Sequence, residues 1–173
     1  MRTLNTPEHQ VHTIGPFFDS SSEILVVGSF PSPKSRESGF FYGHPSNRFW
    51  KILSSAGGYP VPGSVEEKKE LLSAMKTALW DIVASCTITG ASDSTIRDVE
   101  YNDLNMIVSH SSVRTVIFNG GTSYSLFLSS EITFPGYVKI LKLPSTSAAN
   151  ASFSLEKLKE AWSEAFADHS SRS

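Results

Sequence analysis

Three short segments of the chain combine aromatic, amide and hydroxyl side chains, and each follows a predicted buried strand. They are residues 28–50, residues 118–121 (FNGG) and residues 143–152 (LPSTSAANAS). An aromatic ring can stack on a planar base, and an amide offers a donor and an acceptor to one edge of that base. Small hydroxyl residues and backbone N–H groups can hold phosphate oxygens. Together, these residue types predict a pocket that binds a nucleotide.

The first segment holds three aromatic residues, Phe40, Phe41 and Tyr42, in a loop flanked by glycines. Stacking of one ring on a base contributes about 1–3 kcal/mol. Any one of the three rings could have this role. The other residues of the segment that we expect in the base-binding pocket are Gly28, Ser29, Phe30 and His44. A hydrogen bond that holds the loop is the alternative role for His44.

The other two segments provide the predicted amide and the predicted phosphate contacts. Asn119 stands at the end of a strand, before two glycines that allow a ligand to approach the backbone closely. A purely structural asparagine and a serine-capped loop are the alternative explanations. The residues of the third segment that we expect to contact the phosphate-bearing ligand are Pro144, Ser145, Thr146, Ser147, Ala148 and Asn150.

Alternating strands and helices provide the scaffold for these segments. Apolar, β-branched runs predict strands, and amphipathic spacing predicts helices that alternate with them. The pattern predicts an α/β fold: a single-domain three-layer sandwich with a central, mostly parallel four-stranded sheet. We expect the domain to span 1–167, with a flexible tail at 168–173. The predicted strands are 24–30, 78–83, 113–121 and 137–144, and the predicted helices are 47–57, 64–75 (with Ser64 as N-cap and Glu67 completing a capping box), 102–110 and 154–166.

Composition limits the classes of protein that the chain can represent. The 173 residues are 39% hydrophobic and 18% charged, which suits one folded domain with a sizeable core. No apolar run could span a bilayer, and the first twelve residues lack the apolar segment of a secretory signal. The single cysteine excludes an internal disulfide and a four-cysteine metal site. We therefore expect an intracellular protein with no metal or organic cofactor.

Charge gives little support to nucleic-acid binding. The formal net charge is −2, although four cations, Lys34, Arg36, Arg48 and Lys51, are concentrated in residues 34–51. An enzyme that must release its product needs only a local positive strip. Other polar residues receive structural interpretations: Asp93, Arg97 and Asp98 are expected to form an ion-pair cluster, and His9 and His12 are not expected to bind a metal.

Several motifs, in the same order along the chain, resemble those of the uracil-DNA glycosylase superfamily. They are similar above all to the hypoxanthine-DNA (deoxyinosine) glycosylase branch, which is related to the mismatch-specific uracil and thymine glycosylases. The resemblance covers roughly residues 11–166 and implies the fold of that superfamily, a DNA substrate and base excision. The matching motifs are GSFPS (28–32), HPSNRFW (44–50), ALWDIV (78–83) with Cys86, STIRDV (94–99), FNGG (118–121) and LPSTSAAN (143–150).

Two departures from the wider superfamily bear on the chemistry. Where most relatives carry an Asn that positions the attacking water, this chain has Phe30, and where efficient uracil enzymes open the second motif with His or Asn, it has Leu143. The hypoxanthine branch shares both losses. The resemblance therefore implies that Asn47 and Asn119 are the catalytic residues. Helix capping is the alternative role for Asn47.

The resemblance implies a monofunctional mechanism that leaves an abasic site. The enzyme would flip a deaminated nucleotide out of the helix, with hypoxanthine preferred and uracil or xanthine as further substrates. Tyr42 would stack on the base, Asn119 would stabilise charge on the leaving base, and Asn47 would orient water or favour an oxocarbenium-like sugar through its carbonyl oxygen. Ser145 and Ser147 would hold phosphates, and 148–150 would fill the space that the base leaves.

Three alternatives to this interpretation remain open at the level of the sequence. They are a mismatch-specific uracil/thymine-DNA glycosylase, a catalytically silent binder of damaged DNA, and an enzyme acting on free nucleosides. In the main interpretation the partner is DNA containing a deaminated base, and the protein is a monomer that does not bind membranes. Its compartment would be the cytoplasm of a prokaryote or the nucleus of a eukaryote.

Overall fold

Strands and helices alternate along most of the chain, as predicted for an α/β protein. The computed structural model describes residues 6–169. Of the predicted tail, residues 168 and 169 belong to the 3-10 turn Glu164–His169, and residues 170–173 lie outside the described residues. The strands are β1 (Pro7–Val11), β2 (Ile24–Gly28), β3 (Thr77–Asp81), β4 (Val83–Thr89), β5 (Arg97–Tyr101), β6 (Thr115–Asn119) and β7 (Lys139–Leu143), and the helices are α1 (Pro33–Ser38), α2 (Phe49–Gly57), α3 (Val65–Ala74), α4 (Leu104–Ser109), α5 (Gly121–Ser129) and α6 (Leu155–Ser163).

The four predicted strands form one sheet in the order β3-β2-β6-β7, and all neighbours run parallel. Gly28 pairs with Asp81 and Asn119 pairs with Leu143, so the last residues of all four strands lie at the same edge. Ligands of parallel sheets bind outside this carboxyl edge. The predicted sheet is confirmed, and the sheet is entirely rather than mostly parallel.

The two faces of the parallel sheet carry separate hydrophobic clusters. Alternate residues of β2 point to opposite faces, so that Val26 belongs to one cluster and Val27 to the other. Helices α2, α3 and α6 cover the first face, with the large fully buried rings of Phe49 and Trp162. Helices α4 and α5 cover the second face together with part of β4. These layers give the predicted three-layer sandwich.

A second sheet was not predicted. Strands β1, β4 and β5 form an antiparallel sheet in the order β1-β4-β5. Both β1 and β5 are mostly polar and partly exposed, so neither shows the apolar run that marked the central strands. The strand predicted at 78–83 ends at Asp81, and the chain enters β4 at Val83.

The N-cap predicted for helix α3 is present in the structure. The Ser64 side chain accepts from the N–H of Glu67 at 3.1 Å and also contacts its carboxylate, which confirms the predicted start of α3. The predicted start of the next helix is different. Helix α2 begins at Phe49 rather than at 47, and Asn47 lies before it. None of the helices within residues 6–169 is long and apolar enough to cross a membrane.

Candidate active site

A cavity of about 1090 Å³ opens at the carboxyl edge of the parallel sheet. Its volume lies near the upper end of the range of roughly 300–1,000 Å³ that is typical of ligand sites. All three predicted segments contribute to its walls. The predicted site residues that line the cavity are Gly28, Ser29, Phe30, Tyr42, His44, Asn47, Asn119, Pro144, Ser145, Thr146, Ser147, Ala148 and Asn150.

The two predicted catalytic amides are joined by Thr146. The Thr146 hydroxyl donates to Asn47 Oδ1 at 2.8 Å and accepts from Asn119 Nδ2 at 3.0 Å. The backbone N–H of Thr146 also donates to Asn119 Oδ1 at 3.0 Å. Three segments that lie far apart in the sequence are therefore fixed against one another by one hydroxyl and one N–H group.

Thr146 has a structural role that the sequence did not suggest. Its side chain is fully buried, and its hydroxyl is occupied by the two amides. The hydrogen of that hydroxyl is donated to Asn47 rather than toward a ligand, and the predicted contact of Thr146 with DNA stays a prediction. Its geometry is that of a residue that positions Asn47 and Asn119.

Asn47 both bonds the first residue of helix α2 and lines the cavity. Its Oδ1 accepts from the N–H of Phe49 at 3.0 Å as well as from Thr146. Both lone pairs of the carbonyl oxygen are thus engaged, and orienting a water through this oxygen would require breaking one of these bonds. The group that Asn47 can offer to a ligand is its Nδ2 amide, which is a donor.

Tyr42 lies in the cavity wall with an uncommon backbone conformation. Its φ is 52°, in the left-handed region that costs an ordinary residue about 1–2 kcal/mol. Its carbonyl accepts from Trp50 Nε1 at 3.2 Å, and one face of its ring stacks on Phe49 with centroids 4.5 Å apart. Burial of the hydroxyl, together with the negative charge of Asp81, raises the pKa of Tyr42, while the neighbouring amide of Asn119 acts in the opposite direction. The hydroxyl therefore stays protonated and neutral.

Arg48 fixes the third segment by hydrogen bonds to backbone carbonyl oxygens. Its guanidinium donates to the carbonyl oxygens of Ser147 at 2.7 Å, Asn150 at 3.2 Å and Thr146 at 3.3 Å, and also to that of Phe153. Arg36 is likewise used internally, since it donates to the Gln10 side chain at 2.8 Å. Two of the four cations in the predicted positive strip are thus structural. Lys34 is exposed beside Glu37 at 3.7 Å.

The serine hydroxyls of the third segment are placed to donate outward. Ser145 Oγ accepts from the N–H of Ser147 at 3.2 Å, and Ser147 Oγ accepts from the N–H of Ala149 at 3.2 Å. As acceptors, both hydroxyls retain a hydrogen for a ligand. Gly120, at φ 96°, makes room for this turn because a Cβ there would lie 2.9 Å from Ser145 Cβ. This arrangement can bind phosphate oxygens.

His44 stands at the rim of the cavity. The residue is exposed, and its Nδ1 accepts from the N–H of Ser46 at 3.0 Å. This hydrogen bond holds the loop that carries Asn47, which is the alternative role expected for His44. Phe30, by contrast, is buried, with the Arg36 guanidinium 5.7 Å from its ring centroid.

Two carboxylates in the cavity wall were missed from the sequence. Asp81, at the end of β3, is 4% exposed, and its Oδ2 lies 2.8 Å from His12 Nε2. Asp93 accepts from the Ser29 hydroxyl at 2.5 Å. Burial and the nearby charge of Asp81 raise the pKa of Asp93, although the hydrogen bond from Ser29 opposes this. The predicted ion-pair cluster is wrong in one member, because Asp93 faces the cavity while Arg97 and Asp98 pair at the surface at 4.0 Å.

Comparison with known proteins identifies the family and the fold of this chain. Residues 16–167 match the model of the uracil DNA glycosylase superfamily. A curated protein of Methanosarcina barkeri, named hypoxanthine DNA glycosylase, is 34% identical over 87% of this chain and 94% of its own length. A protein of Methanosarcina acetivorans with the same name is 34% identical over 86% of this chain and 92% of its own length.

A solved structure has the same fold. It is a solution NMR structure from Methanosarcina acetivorans, described as a candidate uracil DNA glycosylase. It superposes with a TM-score of 0.76 at 29% identity, covering 91% of this chain and 97% of its own. The similarity therefore extends over most of both chains.

Proposed function

The chain belongs to the uracil DNA glycosylase superfamily, and we propose that within it the protein excises hypoxanthine from DNA by hydrolysis of the N-glycosidic bond. DNA glycosylase activity follows from that membership. The hypoxanthine preference is supported by the two curated relatives with that name and by Phe30, which replaces the water-positioning Asn of the uracil enzymes. The product would be an abasic site.

The observation that carries this proposal is the coupling of Asn47 and Asn119 through Thr146 at the carboxyl edge of the sheet. Each amide uses part of its hydrogen-bonding capacity on Thr146 and keeps donor capacity for a ligand. A fixed donor beside a base that leaves with negative charge stabilises the transition state more than the ground state. We assign this role to Asn119 Nδ2, and Asn47 Nδ2 can donate to the base or to the sugar.

The remaining wall of the cavity suits a flipped nucleotide. The ring of Tyr42, supported by Phe49, offers an aromatic surface to the base. The Ser145 and Ser147 hydroxyls lie at the mouth and would hold phosphates on either side of the flipped residue. Ala148 and Asn150 would enter the space that the base leaves in the helix. A deaminated base is mispaired and so is easier to extrude than a paired one.

We propose that the protein acts on DNA as a monomer and that residues 1–167 form one domain. It would act wherever genomic DNA is kept, which is the cytoplasm of a prokaryote or the nucleus of a eukaryote. Size-exclusion chromatography with light scattering, with and without an oligonucleotide, tests the monomer. A second protein copy in the complex would contradict it.

The test of function uses end-labelled oligonucleotides with hypoxanthine, uracil, xanthine or a G:T mismatch, in single- and double-stranded form. Alkali cuts abasic sites, and a denaturing gel displays the cut strands. We expect hypoxanthine to be released first. Asn119→Ala should lower its single-turnover rate by about 10²–10³-fold, as for loss of one donor to a developing anion. Asn47→Ala should also lower this rate.

Asn105→Ala is the matched control for both variants. Asn105 lies on α4, away from the cavity, and its side chain bonds only the carbonyl of Thr133 among the described residues. It should cleave like wild type. Release led by uracil would overturn the substrate and favour the activity of a mismatch-specific uracil/thymine-DNA glycosylase. DNA binding with no release from any oligonucleotide would overturn the enzyme and favour a silent binder.

A further inference from the structure

The Asp81 carboxylate is held in the cavity by a neutral histidine. The Asp81 and His12 side chains are 6% and 3% exposed, and Oδ2 and Nε2 are 2.8 Å apart. The other ring nitrogen, Nδ1, accepts from the N–H of Ile14 at 3.2 Å. Because Nδ1 is an acceptor, the single proton of a neutral imidazole lies on Nε2 and is donated to Asp81. This places a negative carboxylate in the cavity wall, oriented by a hydrogen bond.

The second oxygen of that carboxylate lies beside Gly28 and Tyr42, which line the cavity together with Asp81. Among residues 6–169, no hydrogen bond reaches Asp81 Oδ1. This atom lies against Gly28, where a Cβ would stand 2.4 Å from Oδ1 and 3.2 Å from the Tyr42 hydroxyl. Only a residue without a side chain can stand there without displacing the carboxylate. A buried carboxylate oxygen requires a donor, and in this cavity the donor must come from water or substrate.

The other groups that could hold a water by accepting its proton are less suitable. Phe30 has no polar atom, although His12 packs edge-on against it with centroids 5.9 Å apart. Asn47 Oδ1 already accepts two hydrogen bonds. Asp93 lies on the 3-10 turn Asp93–Thr95 beyond β4, whereas Asp81 is part of the sheet itself, in register with Gly28. Groups on rigid elements hold a reacting atom more accurately than groups on turns.

We propose that Asp81 is the catalytic carboxylate that positions and deprotonates the attacking water, and that His12 is its positioning residue. The proposal rests on the glycosylase function proposed above. The bond between C1′ and the base nitrogen breaks with both electrons going to the base, and the water oxygen bonds to C1′. One proton of that water passes to Asp81 Oδ1. The departing base anion takes up this proton by way of solvent, which regenerates the carboxylate and consumes one water in total.

In this arrangement, Asp81 on a neighbouring strand takes the place of the amide that positions the water in most relatives. The motif that follows β2 supplies an amide for the water in most relatives and supplies Phe30 here. Asp81 reaches the same part of the cavity from β3, which pairs with β2 along its whole length. Its charge would also stabilise positive charge on an oxocarbenium-like sugar.

The experiment separates chemistry from binding. Single-turnover rates are measured on a hypoxanthine oligonucleotide, and affinity is measured by anisotropy with a 2′-fluoro analogue that resists cleavage. Asp81→Asn keeps the shape of the side chain but cannot take the proton. We expect its rate to fall by about 10²–10⁴-fold, the usual contribution of a general base, with affinity within threefold of wild type. The retained affinity also shows that the variant is folded.

Two further variants sharpen the test. Asp81→Ala leaves space beside Gly28, and formate, a small carboxylate, should restore at least a tenfold increase in its rate. His12→Ala should lower the rate at unchanged affinity, whereas His12→Gln, which keeps a side-chain donor, should recover part of it. Asp98→Asn is the matched control, because Asp98 is exposed on β5 and lies outside the cavity.

Each outcome has a defined meaning. An Asp81→Asn rate within threefold of wild type would overturn the proposal and leave the glycosylase function standing. A variant that keeps the rate but binds the analogue weakly would assign Asp81 to recognition of the base and would also overturn it. A wild-type protein that releases no base from any oligonucleotide would overturn the proposed function together with this inference.

Discussion

Asn119 and Thr146 are joined by two hydrogen bonds, each with donor and acceptor 3.0 Å apart. Asn119 Nδ2 donates to the Thr146 hydroxyl, and the Thr146 N–H donates to Asn119 Oδ1. The pair closes a ring that fixes the plane of the amide. A buried threonine thereby sets the direction in which the amide of β6 faces the cavity.

Replacing Thr146 with valine keeps the size of the side chain but removes the hydroxyl that joins the two amides. The valine leaves Asn47 Oδ1 and Asn119 Nδ2 each without one partner, and we expect a loss of about 1–3 kcal/mol in the free energy of unfolding. The hypoxanthine excision rate should fall by about 10²-fold, because a small displacement of a positioned group can have an effect of this size. Thermal melts and single-turnover kinetics measure the two effects.

Thr146→Ser is the matched control. It keeps the hydroxyl and the backbone N–H, so its rate should stay within about threefold of wild type. Equal rates for the serine and valine variants would contradict the positioning role of the hydroxyl.

The ring of Tyr42, rather than its hydroxyl, should determine DNA affinity. Tyr42→Ala removes a stacking surface worth about 1–3 kcal/mol, which corresponds to roughly 5–150-fold weaker binding. Tyr42→Phe keeps the ring and its contact with Phe49, and we expect nearly unchanged affinity. Anisotropy with the uncleavable hypoxanthine analogue measures both. Equal losses for the two variants would show that the hydroxyl, not stacking, is the contribution of this residue.

The parallel sheet and most of its helices could be predicted because their residues carry a local signal. The run ILVVG in β2 is apolar throughout, and the spacing of Leu158 and Trp162 in α6 is that of a buried helix face. Parallel strands end at the same edge of a sheet, so Asn119, at the end of a predicted strand, could be assigned to a site at that edge before any of its contacts was known. The sequence could not show which hydrogen bonds Asn47 makes. An asparagine just before a helix looks the same in the sequence whether it caps the helix or lines a pocket.

The second sheet explains why Asp81 and Asp93 were missed. Strand β1 has the polar composition of a terminal segment, and only its pairing with β4 brings the following His12 against Asp81. The two residues are 69 positions apart, so no local spacing relates them. Asp93 likewise faces the cavity because the connection between β4 and β5 turns back over Ser29. Such contacts depend on tertiary pairing rather than on sequence periodicity.

Arg48 should stabilise the loop at 146–153 rather than contact DNA directly. Arg48→Lys keeps the charge but cannot donate to four carbonyl groups from a planar fork, so several buried bonds are lost. We expect the free energy of unfolding to fall by about 2–4 kcal/mol, in line with loss of charge-assisted hydrogen bonds. Chemical denaturation measures this change. Arg114→Lys, at an exposed arginine beside Tyr137, is the matched control and should have little effect, and equal stabilities for the two variants would contradict the assignment.

The charge of Asp93 should reduce stability at neutral pH. Burial raises the pKa of this carboxyl in the folded state, so between its unfolded and folded pKa values the native protein binds more protons than the unfolded chain. Stability therefore falls as the pH rises through this window and stays lower above it. Asp93→Asn can still accept from Ser29 but cannot ionise. The melting temperature of this variant minus that of wild type should therefore increase as the pH rises from about 3.9, the ordinary pKa of an Asp, to neutral pH.

Differential scanning fluorimetry at a series of pH values measures this difference directly. Taking the difference between variant and wild type at each pH cancels the titration of groups that do not interact with Asp93. A change of 1 kcal/mol moves the melting temperature of a protein of this size by about 2–4 °C, which is within reach of the method. Asp98→Asn is the control for removal of a carboxylate that lies at the surface, outside the cavity. A difference for Asp93→Asn that does not vary with pH, or that shrinks as the pH rises, would show that the fold does not disfavour the charge of Asp93.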